Sequence, residues 1–111
     1  MSWVKIDERL SEHPKIVGLS DRAFRVHINA LCYCNRNLTD GRIPGGALRS
    51  LMGNERLAGQ LVSAGLWEQN GTGWLVHDYL DFNFSREQVE RRREERRKAG
   101  EKGAQVRWQT T

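Results

Sequence analysis

Between Gly41 and Tyr79 the chain changes its hydrophobic period repeatedly, and the order of those periods constrains the fold more than any other feature. Gly41-Arg42-Ile43-Pro44 reads as a short extended piece that ends at a proline. Ala47, Leu48, Leu51 and Met52 follow at helical spacing. Gly53 breaks that helix, and Asn54 is a good N-cap for a second one. The second helix has one apolar face, made by Leu57, Leu61 and Ala64 with Ala58 and Val62 beside them. Gly65 stands where a helix end favours a left-handed residue. Leu66-Trp67-Glu68-Gln69 and Trp74-Leu75-Val76-His77 then flank Asn70-Gly71-Thr72-Gly73. Two apolar runs around an Asn-Gly turn read as a β-hairpin, with Trp67 and Trp74 facing each other across it as a packed cross-strand pair.

Upstream, Trp3-Val4-Lys5-Ile6 alternates like a strand and is expected to pair with the hairpin. His13 to Leu19 reads as a short helix with Pro14 at its first position, where proline is tolerated. Ser20 caps a longer helix, with Asp21 at the positive end of the dipole. Phe24, Ile28 and Leu31 are its expected buried stripe, flanked by His27, Ala30 and Cys34. Asp40-Gly41 turns the chain into the central stretch. The expected core is Leu48, Leu51, Leu57 and Leu61 with Phe24, Ile28, Leu31 and Trp74. The expected class is mainly α (α+β). Strand, helix, tight turn, helix and hairpin, in that order behind a long first helix, describe a winged helix-turn-helix: a three-helix bundle with a β-hairpin wing. In that architecture the second helix of the turn enters a DNA major groove.

Charge divides the chain. Residues 1–84 hold nine Lys/Arg and nine Asp/Glu, whereas residues 85–111 hold nine Lys/Arg and five Asp/Glu, so the whole net charge of +4 lies in the last quarter. A boundary is therefore expected near Asn83-Phe84-Ser85, between a winged-helix domain, 1–84, and a basic C-terminal helix and tail, 85–111. Tyr79-Leu80-Asp81-Phe82 is amphipathic and expected to pack back onto the domain. Ser85 and Gln88 fit a capping box. The helix they open has Val89 as its one aliphatic residue besides Ala99. Glu87–Arg91, Glu94–Lys98 and Glu90–Arg93 are its expected ion pairs, and no heptad seam runs along it. Gly100 and Gly103 are expected to end it, leaving Gln105 to Thr111 as a loose tail with Trp108 in it.

Several function classes are disfavoured. No apolar run approaches the ~18 residues of a membrane span. Met1 to Lys5 lacks the segments of a secretory signal. Cys32 and Cys34 are too close to staple a fold, which fits a reduced cytoplasmic setting. On a helix, two cysteines two residues apart point about 200° apart. With His27 they make a poor tetrahedral metal site, so no metal is expected. His13, His27 and His77 are scattered, and no nucleophile, phosphate loop or cofactor motif is present. No enzyme and no cofactor are expected, and the domain leaves no room for a substrate pocket.

Trp3-Val4-Lys5-Ile6-Asp7, His13-Pro14-Lys15-Ile16, Leu66-Trp67-Glu68 and Trp74-Leu75-Val76-His77-Asp78-Tyr79-Leu80 resemble the N-terminal winged-helix segment of phage and prophage replication proteins. That segment is similar to the winged-helix part of replication initiators and DnaD-like replisome organisers. The resemblance covers roughly residues 1–84. It implies a phage-type protein acting in replication or transcription control in the host cytoplasm or nucleoid. Wing tips that grip DNA commonly carry Lys or Arg, and here the tip is Asn70-Gly71-Thr72-Gly73.

The expected partner is double-stranded DNA, met by groove insertion of the helix from Asn54 to Ala64. Arg56 suits guanine, Gln60 adenine, and Glu55 accepts from cytosine; Asn54 and Ser63 complete the candidate surface. Arg42 and Arg49 flank the helix-turn-helix and suit phosphates, which position without reading sequence. Arg91-Arg92-Arg93 and Arg96-Arg97-Lys98 form the dense cationic arm that attracts a polyanion, with Arg91, Arg92, Arg96, Arg97 and Lys98 as the expected contacts. Two other readings stay open. One is a protein-interaction module that docks a replication or host protein, with or without pairing of two copies of the chain. The other is an RNA-binding regulator, supported by the arginine-rich arm alone.

Overall fold

In the computed structural model the chain is an α+β protein with a small three-stranded antiparallel sheet in the order β1-β3-β2. The structure describes residues 3–77, 79 and 85–109, with side chains up to residue 101. Helix α1 is Pro14–Val17 and helix α2 is Asp21–Asn37. Strand β1 is Arg42–Ile43, and a 3-10 helix, Gly45–Leu51, follows it. Helix α3 is Glu55–Ser63, strands β2 and β3 are Trp67–Asn70 and Gly73–Val76, and helix α4 is Arg86–Gln109.

The caps form as the residue types dictate. Ser20 Oγ accepts from the Ala23 N–H at 3.2 Å, and Asn54 Oδ1 accepts from the Leu57 N–H at 2.9 Å. Each satisfies a donor that the first helical turn leaves unpaired. Ser85 and Gln88 close their capping box reciprocally, at 2.8 and 3.1 Å. Gly65 follows α3 at φ +80, the left-handed region that glycine enters without steric cost. Gly73 has a different reason: a Cβ there would stand 2.1 Å from the Ile43 carbonyl oxygen, so only glycine lets β1 lie this close to the hairpin.

Four sequence expectations are corrected by tertiary context. Trp3–Ile6 forms no strand, and Trp3 is 82% exposed. The position beside β3 is taken by β1, where Arg42 pairs with Leu75 and Ile43 with Trp74. On α2 the buried stripe is Ala23, Val26, His27, Ala30 and Cys34, with Leu31, so the helix is turned by about one residue from the face through Phe24 and Ile28. The larger Phe24 and Ile28 sit half-buried at its edge. The segment before α3 is a 3-10 helix; with three residues per turn, Leu48 and Leu51 stack inward, while Met52 takes a left-handed φ of 63 and is exposed. Val62 likewise lies outside the apolar face of α3.

The two tryptophans meet diagonally. Trp67 stands opposite Val76 and Trp74 opposite Gln69, with ring centroids 6.1 Å apart. Diagonal neighbours on one sheet face are within reach for aromatic rings. Trp67, 1% exposed, is the core member of the pair, and Trp74 is half-buried.

Helix α4 runs through Gly100 and on to Gln109. A lone glycine costs a helix only about 1 kcal/mol, and Ala99, Glu101, Lys102, Ala104 and Gln105 around these glycines favour helix. The start of α4 is tied to the body, because the Arg86 N–H donates to Asp40 Oδ1 at 2.6 Å. Tyr79 is buried, in line with the expected return of its segment; Leu80, Asp81 and Phe82, and the boundary at Asn83-Phe84, lie outside the described residues, as does the side chain of Trp108.

Candidate nucleic-acid interface

Helix α3 is held by its inner face and leaves a polar outer one. Leu57, Ala58 and Leu61 are buried, with Leu61 fully so. At 100° per residue the direction opposite these three is occupied by Arg56, Gly59 and Ser63, all exposed. Glu55 is exposed at one margin of that ridge. Gln60, at the other margin, is half-buried, and its Oε1 accepts from Ser20 Oγ–H at 2.8 Å. Gln60 thus ties α3 to the start of α2. Asn54 spends its carbonyl on the cap, leaving its amide group as the exposed donor. Of the residues expected to read bases, the structure aligns Arg56 and Ser63 on the outward ridge and Glu55 beside it, while Gln60 and Asn54 are already hydrogen-bonded within the chain.

Arg42 is exposed on β1, whose described pairing is with β3. Arg49 is exposed in the last turn of the 3-10 helix that leads into the cap of α3. Neither makes an ion pair among the described residues.

The exposed side chains of α4 are partly sorted around its axis. Glu87, Glu90, Glu94 and Glu101 fall on one stripe at helical spacing with Arg91, Arg97 and Lys98 beside it, Arg92 and Arg96 fall on the opposite side, and Arg93 and Glu95 lie on the two flanks. The ion pairs follow this division and differ from the expected ones. Glu90 takes Arg86 at 3.0 Å, and Arg97 bridges Glu94 and Glu101. The forked guanidinium of Arg97 can serve both carboxylates at once, which the ammonium of Lys98 does not match. The Arg97 hydrogen bond holds the Glu94 carboxyl below its ordinary range, and Lys98 adds a weaker effect in the same direction. Arg97 is therefore the arm cation most occupied by its own helix. Arg91, Arg93, Arg96 and Lys98 make no ion pair among the described residues. Arg93, part of the expected arginine cluster, is among them, because Glu90 pairs with Arg86 rather than with Arg93 as expected.

Two further features belong to the body. Cys34 is buried, with its Sγ 3.7 Å from the Arg42 carbonyl oxygen, and Cys32 is exposed, so the two thiols diverge as their spacing requires. Burial pushes the Cys34 thiol up from its usual pKa. His27 is buried at 4% exposure, and its Nδ1 accepts from Trp67 Nε1–H at 3.1 Å. Burial lowers the imidazole from about 6.5 to about 4. Contrary to the sequence expectation of no pocket, a cavity of about 330 Å³ lies beside His27, walled in part by the N-terminal segment that does not join the sheet.

No helix among the described residues is long and apolar enough to cross a membrane. No family model matches the chain, and no curated protein or solved structure matches it either.

Proposed function

We propose that the chain is a winged helix-turn-helix protein that binds double-stranded DNA, with α3 in the major groove and the basic side of α4 on phosphates. The observation that carries this reading is the outer ridge of α3, which is polar, capped by Asn54 and held from behind by Leu57 and Leu61. A short 3-10 helix, a tight turn and an antiparallel hairpin accompany it, with the sheet in the order β1-β3-β2. An α-helix of this kind fits the major groove of B-DNA, where each base pair presents a distinct donor and acceptor pattern. Arg56 is the guanine reader of the account. The resemblance to phage and prophage replication proteins supports a role in replication or transcription control.

A selection of binding sites from random duplexes tests the reading. Arg56→Ala should then cost about 1–3 kcal/mol on the selected site and relax preference at one base pair. Recovery of no preferred sequence, or an unchanged preference in the variant, would contradict base reading by α3.

A second reading is favoured by the charge of the body. Residues 1–84 are neutral overall, and the hairpin tip carries no cation. On that reading the body docks a protein of the replication machinery, and α4 alone meets nucleic acid.

A further inference from the structure

We propose that the cavity between the N-terminal segment and the body binds a small amphipathic carboxylate, a ligand separate from nucleic acid. Its volume of about 330 Å³ falls within the range of small-molecule sites. Leu10, Ile16, Leu31 and Val76 supply apolar wall, and Ile16, Leu31 and Val76 are themselves buried. Such a wall accepts an aliphatic or aromatic body and disfavours a bare, strongly hydrated anion such as phosphate.

The charged wall is mainly cationic, with Lys5, Arg9 and Lys15 against the one carboxylate of Asp7, and the rings of His13, His27, His77 and Tyr79 line it too. Indole nitrogen only donates, so the Trp67 bond requires that Nδ1 of His27 carry no proton. The proton of the neutral ring is then on Nε2. His27 lines the cavity, and Nε2–H is the polar group of its ring that Trp67 does not engage. His27 makes no other hydrogen bond. The cavity therefore contains a deep neutral donor held in one tautomer by the core. Arg9 and Lys15 also line it, and neither makes an ion pair among the described residues. Lys15 Nζ reaches only the Gly65 carbonyl oxygen, at 3.3 Å. Asp7 is the carboxylate on the wall, and its Oδ1 is taken by the Arg9 backbone N–H at 2.7 Å. A neutral donor, three cations beside it and apolar walls between them match a carboxylate attached to an apolar body. Carboxylates accept from such donors with charge-assisted bonds.

The test uses the full chain, labelled with ¹⁵N, and 2-naphthoate as probe, with 2-naphthalenemethanol as its uncharged counterpart. The readout is the Trp67 indole N–H resonance, which senses His27 directly. The acid should shift that resonance saturably with Kd below about 1 mM, and the alcohol should bind at least ~5-fold more weakly. Arg9→Gln with Lys15→Gln, both at exposed positions where folding is not at stake, should weaken binding of the acid toward that of the alcohol, Lys5 being retained. Absence of a saturable shift up to about 10 mM acid would overturn the site. Equal binding of acid and alcohol, or unchanged acid affinity in the double variant, would overturn the carboxylate assignment. None of these outcomes depends on DNA binding, so the site and the DNA reading fail separately.

Discussion

His27 shows how one residue can be fixed by a partner forty positions away. Its ring is the acceptor for the buried Trp67 indole, and both lie in the packed interior between α2 and the sheet. The folded pKa, about 4, lies below the ordinary 6.5, so the unfolded chain binds the proton more readily. The associated stability is fully present above about pH 6.5 and is lost as pH falls toward 4. For one histidine this amounts to about 2 kcal/mol between pH 7 and pH 5. His27→Gln, which retains an acceptor for the indole, should flatten the dependence of chemical unfolding on pH in that window. An equally steep dependence in the variant would place the titrating group elsewhere. Nothing in the sequence marks this histidine as a core residue: it sits on the flank of the Phe24–Ile28 stripe, and its partner is visible only once the sheet is built. Ser20, Asn54, Gly65 and the Ser85–Gln88 box were legible because each acts on its own next turn.

At the scale of elements, the same distinction between local and tertiary signals holds. Helices α1, α2 and α3, the hairpin, the start of α4 and the order of these elements follow from period and capping alone. The face that α2 buries does not, because large side chains were weighted over small ones. Ala23 and Ala30 are fully buried in the packed core, whereas Phe24 is only half-buried. For α3 the two criteria agree, and its inner face was read correctly at Leu57 and Leu61. Leu61→Ala, at a fully buried position, should cost about 2–5 kcal/mol. Thermal unfolding at the parent temperature would mean that this face is not buried. Helix α4 continues past Gly100, where glycine is expected to end it, because the penalty of glycine is small beside good helix formers. Gly100→Ala meets no atom within 4 Å and should strengthen the helix locally by about 1 kcal/mol. Slower amide exchange around residue 100 would show it; faster exchange would contradict a helix continuing past this point.

Over the whole molecule, the proposal divides DNA binding between a neutral body that reads and a charged arm that holds. The arm carries the entire net charge of +4, and Arg92 and Arg96 lie opposite an acidic stripe that pairs with Arg86 and Arg97. Non-specific affinity for a duplex is almost wholly electrostatic, and its logarithm falls with log salt by roughly 0.9 for each phosphate neutralised. The most direct measurement is therefore an anisotropy titration of labelled duplexes at several salt concentrations. It compares the full chain with Arg92→Gln/Arg93→Gln/Arg96→Gln, a variant that keeps helix propensity while removing the basic side of α4. The account predicts weaker binding to all sequences by a similar factor and a salt slope shallower by about 2–3. The same affinity and the same slope in both proteins would contradict the arm as a DNA contact, and with it the division of labour proposed for this fold.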